Sequence, residues 1–122
     1  MNKTKRVLVV DDEQGIITVL RIKLGHSGYE VVATTSGAEA VEICRTQHPD
    51  IMLLDILMPG VNGFEVLEEV HGFSKVPVVA FTAQKDIAES AMKKGADDFI
   101  VKPFDPDRAG LLFLSPGAAC SQ

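Results

Sequence analysis

Short apolar runs alternate along the chain with segments whose apolar residues recur at the spacing of a helix. The runs are bounded by acids, glycines and other polar residues, a pattern typical of strands buried on both faces. We predict strands over residues 6–10, 29–33, 51–54, 76–81 and 99–101. Their alternation with helices predicts an α/β fold, a doubly wound five-stranded parallel sheet with helices on both faces. The order of the strands does not follow from periodicity.

The segments between the strands predict helices from their spacing and their capping residues. Ser36 with Glu39 forms a capping box, and Asn62 with Glu65 is a second N-cap pair. The predicted apolar faces are Ile16, Val19, Leu20 and Leu24 in the first helix, Ala40, Val41 and Cys44 in the second, Phe64, Leu67 and Val70 in the third, and Ile87, Ala88, Ala91 and Met92 in the fourth.

Four of the five predicted strands are followed by a polar residue that can bind a ligand or take part in a reaction. Asp11 and Asp12 follow the first strand, Asp55 the third, Thr82 the fourth and Lys102 the fifth. In an open parallel sheet these strand ends lie at one edge, where ligands bind. The pattern therefore predicts that three carboxylates, a hydroxyl and an ammonium surround one small site.

Three neighbouring carboxylates repel one another unless a cation offsets their charge. Oxygen ligands favour Mg²⁺, with Mn²⁺ as a second choice, over zinc. Because Mg²⁺ uses only one or two protein carboxylates, one is left as a nucleophile. Lys102 and Thr82 are then placed to neutralise and hydrogen-bond the oxygens of a phosphoryl group.

Composition narrows the function further. The net charge of -5 argues against a nucleic-acid-binding surface, which needs a basic patch. Cys44 and Cys120 are far apart and form no metal motif, so we expect a reducing, cytoplasmic environment. No stretch approaches the roughly 20 apolar residues of a membrane span, and we expect no membrane partner.

Four segments in order along the chain resemble the receiver domain of two-component response regulators, the CheY-like family. The resemblance runs from about Lys5 to Asp105 and implies the strand order 2-1-3-4-5, which is the order of flavodoxin-like sheets. The segments that carry it are Val9-Val10-Asp11-Asp12-Glu13, the run from Leu53 to Gly60, Phe81-Thr82-Ala83 and the run from Gly95 to Phe104.

The resemblance also implies a role for each matching residue. Asp55 is implied to be the phospho-acceptor, with Lys102 pairing with the acids and the phosphoryl group. The implied Mg²⁺ ligands are Asp12 directly, Asp11 mostly through water, Asp55, and the backbone carbonyl of Leu57. Thr82 and Phe99 are implied to be the switch pair that reports phosphorylation.

The implied function is that of a phospho-acceptor which catalyses only its own phosphorylation and slow dephosphorylation. The implied partners are a sensor histidine kinase or phosphotransfer protein and a downstream protein or output domain, and a homodimer is a further expectation. We expect the receiver domain to occupy residues 1–108. We expect residues 109–122 to be an atypical segment without an output domain, in which Gly110 and Ser115-Pro116-Gly117 leave only a short or irregular last helix.

Other interpretations of these residues remain open at the level of sequence. The acidic run is also suited to a helix N-terminus, Lys102 to a solvated loop and Phe99 to an ordinary core position. Asp11 and Glu13 faintly resemble the aspartate motif of haloacid-dehalogenase phosphatases, although the usual threonine is missing. A receiver fold that signals without phosphorylation is the second alternative.

Overall fold

Five parallel strands form one sheet in the computed structural model, which describes residues 4–102. Within these residues the strands are β1 (Arg6–Val10), β2 (Glu30–Thr34), β3 (Ile51–Asp55), β4 (Leu57–Met58), β5 (Val61–Asn62), β6 (Val78–Thr82) and β7 (Asp98–Val101). The sheet order is β2-β1-β3-β6-β7, and β4 with β5 forms a separate two-stranded ladder. Counted among the sheet strands alone, this is the order 2-1-3-4-5, so the predicted topology is confirmed.

Helices cover both faces of the sheet, as the sequence predicts. The helices within the described residues are α1 (Gln14–His26), α2 (Gly37–Gln47), α3 (Gly63–His71) and α4 (Lys85–Lys93). Alternate residues of β1 belong to two separate hydrophobic clusters, because successive side chains of a strand point to opposite faces. Val7 and Val9 pack with Ile17, Leu20 and Leu24 of α1. The other cluster contains Leu8 and Val10 of β1, Cys44 of α2, Leu67 of α3 and Ala91 of α4.

Several strand boundaries and apolar helix faces differ from those that the sequence predicts. β6 begins at Val78 rather than at Val76, because Pro77 has no backbone N–H and contributes only its carbonyl, which accepts from the backbone N–H of Met52 at 2.9 Å. Val19 and Met92, predicted to pack inwards, are 39% and 38% exposed. Each of these helices already buries enough apolar residues on its inner face to cover the sheet.

The turn-rich loop after β3 contains a small hairpin that the sequence does not predict. Leu57 pairs with Asn62, and Met58 with Val61, in an antiparallel ladder. Gly63 follows directly, with its N–H donating to the carbonyl of Ile56 at 3.1 Å. A Cβ atom at Gly63 would lie 2.5 Å from the Cα of Ile56, so only glycine allows this approach. The hairpin therefore holds Leu57 close to the end of β3.

The turn between β2 and α2 is tied to the end of β1. Ser36 caps α2 by accepting from the N–H of Glu39 at 3.1 Å, as predicted. The reciprocal half of the capping box is absent, because the Glu39 carboxylate accepts from the Thr34 hydroxyl instead of the Ser36 N–H. The carbonyl of Thr34 in turn accepts from the N–H of Asp11 at 3.2 Å.

Helix α2 ends at a strained residue. His48 is the C-cap, with φ 48° and ψ 62°, and is the one non-glycine residue in the described part of the chain with a positive φ. This left-handed conformation costs roughly 1–2 kcal/mol for a residue that has a Cβ atom. We expect His48→Gly to raise the free energy of unfolding by about 0.5–1 kcal/mol, after its larger unfolded-state entropy is subtracted. Urea denaturation measures the change, and an equal gain from His48→Ala would contradict the argument from strain.

Residues 103–122 lie outside the described residues. The predicted domain boundary at 108, the atypical segment 109–122 and its short last helix therefore stay predictions. Within residues 4–102, no helix is long and apolar enough to cross a membrane.

Candidate functional site

The residues at the carboxyl ends of β1, β3 and β7 meet at one edge of the sheet, as the sequence predicts. The hydrogen bonding of the sheet continues past the strand ends and fixes their backbones. The N–H of Ile56 donates to the carbonyl of Phe81 at 2.9 Å, and the N–H of Lys102 donates to the carbonyl of Thr82 at 2.8 Å. The site residues are therefore held by the rigid sheet rather than by independent loops.

Four carboxylates gather at this edge. Oxygens of Asp11, Asp12, Glu13 and Asp55 all lie within 4.8 Å of one another. Asp11 and Asp55 are buried, whereas Asp12 and Glu13 are exposed.

Lys102 is the cation that balances the cluster. Its Nζ lies 3.1 Å from Oδ2 of Asp11, 2.9 Å from Oε1 of Glu13 and 3.1 Å from Oδ2 of Asp55. The ammonium also lies 5.2 Å from the centroid of the Phe81 ring, within the range of a cation–π interaction. Only 12% of the Lys102 side chain is exposed, so these contacts are shielded from water.

Asp55 is held at both of its carboxylate oxygens. Oδ1 accepts from the backbone N–H of Leu57 at 3.1 Å, and Oδ2 accepts from Lys102 at 3.1 Å. Burial and the charge of Asp11 together raise the pKa of Asp55 to about 6, against the lowering effect of the Lys102 hydrogen bond. The carboxylate of Asp55 is therefore poorly stabilised when the cluster has no cation other than Lys102.

At Lys102, unlike at Asp55, the surroundings shift the pKa in the direction that favours the charged form. Burial by itself lowers the pKa of Lys102, but the hydrogen bonds to Glu13 and Asp55 and the charge of nearby Asp11 outweigh it and raise the pKa above its usual value. Lys102 is thus a permanent positive charge at neutral pH.

The cluster fits a hard divalent cation. Oδ1 of Asp11 accepts from the N–H of Glu13 at 2.9 Å, but Oδ2 is buried and receives no hydrogen bond in the described part of the chain, although Lys102 lies nearby. A buried carboxylate oxygen without a hydrogen bond is costly. A metal ligated by carboxylate oxygens satisfies it, and oxygen donors are what Mg²⁺ prefers.

Thr82 and Phe99 lie on the same face of the sheet. Thr82 is buried, and its Oγ1 accepts from the N–H of Gln84 at 3.2 Å, just before α4. Ala80 pairs with Phe99 and Thr82 with Val101, so the two side chains share a face two positions apart. Phe99 is half-buried and packs against the cluster that α2, α3 and α4 cover.

Glu13 is the site residue for which the sequence predicted no role in a receiver. It follows the acidic pair, and its sequence signal is the same as that of an ordinary acid at a helix N-terminus. The structure places it at the N-cap of α1, where its side chain makes no capping bond and pairs with Lys102 instead. This pairing joins positions 89 residues apart, beyond the reach of any local pattern.

The family model of the response regulator receiver domain matches residues 7–110. The chain belongs to this family. It is accordingly the receiver part of a two-component response regulator, a signalling protein rather than a classical enzyme. The resemblance noted from the sequence is confirmed, and the phosphatase alternative loses its basis.

The receiver domain is similar to part of several curated regulators. It is 41% identical over 104 residues to the probable transcriptional regulator ycf27 of Cyanophora paradoxa, covering 84% of this chain and 44% of that protein. It is 36% identical over 105 residues to the alkaline phosphatase synthesis transcriptional regulatory protein PhoP of Bacillus subtilis, with 84% and 44% covered. The chain thus spans less than half the length of these relatives.

Solved structures share the fold. The chemotaxis protein CheY4 of Vibrio cholerae is 28% identical, with a TM-score of 0.83 and coverage of 93% of this chain and 98% of that one. NtrX from Brucella abortus is 31% identical, with a TM-score of 0.82, and the match covers 98% of this chain and 27% of NtrX. Similar receivers therefore occur both alone and within longer proteins.

Proposed function

We propose that this receiver domain accepts a phosphoryl group on Asp55 in a Mg²⁺-dependent reaction and changes conformation as a result. The observation that carries the proposal is the contact of Lys102 with the buried carboxylates of Asp11 and Asp55 at one sheet edge. A nucleophile, a fixed cation and a set of oxygen ligands are the parts that phosphoryl transfer requires, because that chemistry is mainly positioning and charge stabilisation.

In the proposed step, an oxygen of Asp55 attacks the phosphorus of a donor that carries a transferable phosphoryl group. A new P–O bond forms on Asp55, and the bond from phosphorus to the leaving group breaks, with the leaving group keeping the electron pair. The product is an acyl phosphate. Lys102 donates to the phosphoryl oxygens and offsets their charge as the group arrives.

The proposed metal ligands are Asp11, Asp12, Asp55 and the carbonyl of Leu57, for Mg²⁺ or, second, Mn²⁺. The carboxylate cluster and the buried Oδ2 of Asp11, which lacks a hydrogen bond, support this assignment. The hairpin of β4 and β5 supports the role of Leu57 as a ligand, since it holds this residue close to Asp55. When bound, the ion supplies charge neutralisation for the attacking oxygen and for the phosphoryl group.

For the response, we propose that the Thr82 hydroxyl moves to the phosphoryl group and that the Phe99 ring turns inwards. Their common face and the position of Thr82 directly before α4 support the pairing. In the described structure the hydroxyl accepts from Gln84, so its own proton is available for donation. Phosphorylation would then change the surface formed by α4 and β7.

The proposed partners are a sensor histidine kinase or phosphotransfer protein as donor and a downstream protein or output domain as target. The names of the relatives support an output in transcription, in the part of those proteins that this chain does not match. We expect the receiver itself to bind no nucleic acid, given its net charge of -5, and to act in the cytoplasm, and a homodimer is a further expectation.

Acetyl phosphate tests the function without any kinase. With Mg²⁺ present, we expect the intact mass of the chain to rise by a single phosphoryl group, and peptide mapping to place it on Asp55. EDTA should abolish the change, because the carboxylates then repel the donor. A folded chain that remains unlabelled at high donor and Mg²⁺ concentrations would refute the proposal and favour a receiver that signals without phosphorylation.

A further inference from the structure

The Lys102 ammonium donates hydrogen bonds to the carboxylates of Glu13 and Asp55 and forms an ion pair with Asp11. We propose that Glu13 is a positioning and specificity-determining residue: it holds Lys102 at the mouth of the acidic cluster and disfavours small anionic phospho-donors. The inference rests on the proposed function, because it concerns access of a phosphoryl group to Lys102 and Asp55.

Glu13 differs from the other two partners of Lys102 in exposure. The side chain of Asp11 is 0% exposed and that of Asp55 is 3% exposed, whereas that of Glu13 is 57% exposed. Water can replace Lys102 as a partner of Glu13, but cannot readily do so for the buried acids. The contact of Lys102 with Glu13 is therefore the one that breaks most easily.

The backbone of Glu13 is held by hydrogen bonds that do not involve its side chain. Its N–H donates to Oδ1 of Asp11, and its carbonyl accepts from the N–H groups of Ile16 and Ile17 at 3.1 Å each. The side chain makes no capping bond to α1. Breaking its contact with Lys102 thus leaves both the helix and the acidic pair intact.

An arriving phosphoryl group competes with the carboxylates for Lys102. The ammonium already donates to Glu13 at 2.9 Å and to Asp55 at 3.1 Å, and Asp11 lies 3.1 Å from it. Because Glu13 is the exposed partner, the new contact replaces the one to Glu13. The charge of Glu13 also repels a dianionic donor at the solvent side of the site, where the donor enters.

Two glutamate variants of the full chain test this inference with acetyl phosphate at saturating Mg²⁺. Glu13→Gln removes the charge and keeps the size of the side chain. Glu65→Gln is the matched control, because Glu65 is an exposed acid in the first turn of α3 and is not part of the cluster. We expect Glu13→Gln to raise the labelling efficiency roughly three- to tenfold, chiefly through a lower half-saturating acetyl phosphate concentration, and Glu65→Gln to match the wild type.

A second measurement follows the ion pair without any phosphoryl transfer. We expect the ¹⁵N resonance of the Lys102 ammonium in the Mg²⁺-free chain to shift in Glu13→Gln and to stay in place in Glu65→Gln. An unshifted resonance overturns the inference, and so does equal labelling of Glu13→Gln and Glu65→Gln when both are labelled. Absence of labelling in the wild type and both variants instead overturns the proposed function, and the inference with it.

Discussion

Asp55→Asn is expected to abolish phosphoryl labelling and, at the same time, to stabilise the unmodified domain. Labelling is lost because an amide oxygen is not a nucleophile for phosphorus under these conditions. Stability rises because the buried carboxylate of Asp55 is held against the charge of Asp11, which together with burial raises its pKa to about 6. Where a site concentrates charged groups for a reaction, a residue that the reaction needs is expected to lower the free energy of unfolding.

The stability gain has a defined dependence on pH. Between about pH 4, the ordinary carboxyl pKa, and pH 6, the folded state holds a proton on Asp55 that the unfolded state has lost. The free energy of unfolding of the wild type therefore falls as pH rises through this window, and the full cost remains above it. Asparagine does not ionise, so the advantage of Asp55→Asn should grow from pH 4 to 6 and then stay level.

We expect this advantage to reach about 1–2 kcal/mol at pH 7, since one pKa unit corresponds to about 1.4 kcal/mol and asparagine gives Lys102 a weaker partner. Urea denaturation of both proteins at pH 4, 6 and 7.5 without Mg²⁺ measures it. Asp50→Asn is a control at the opposite edge, where Asp50 accepts from the N–H of Arg6 at 2.7 Å. An advantage that is the same at all three pH values would contradict the raised pKa of Asp55.

Lys102→Ala is expected to slow labelling by acetyl phosphate roughly 100-fold and to destabilise the domain. The rate falls because the substitution removes the fixed cation that offsets charge on the transferring group. The free energy of unfolding should fall by about 3 kcal/mol, because Asp11 and Asp55 lose the ammonium that lies 3.1 Å from each and remain buried. Asp55→Asn and Lys102→Ala, which each remove one partner of the same ion pair, are thus expected to change the free energy of unfolding in opposite directions.

Lys85→Ala is the matched control for Lys102→Ala. It removes the same charge at the same edge of the sheet, from an exposed position at the start of α4. We expect it to change the labelling rate less than twofold and the stability by less than about 0.5 kcal/mol. If Lys102→Ala labels as fast as Lys85→Ala, then Lys102 has no part in the transfer. Its role would be limited to balancing the charge of the acids.

The sequence by itself determined the order of the elements and the residues at the strand ends. An apolar run such as residues 6–10 is a local pattern, and few structures other than a buried parallel strand fit it. Because parallel strands end at one edge, Asp11, Asp55 and Lys102 could be placed together without a structure. The order of the strands required the family resemblance, because periodicity does not record which strands are neighbours.

Only the tertiary structure decided how these side chains are paired. The contact of Glu13 with Lys102 depends on side-chain reach between positions 89 residues apart, and the same acid at a helix start is compatible with solvent exposure. The hairpin that holds Leu57 depends on the backbone approach of Gly63 to Ile56, which no local pattern encodes. Burial of Asp11 and the raised pKa of Asp55 likewise arise from neighbours on other strands. Local periodicity specifies elements, whereas charge and solvation at the site are properties of the assembled sheet edge.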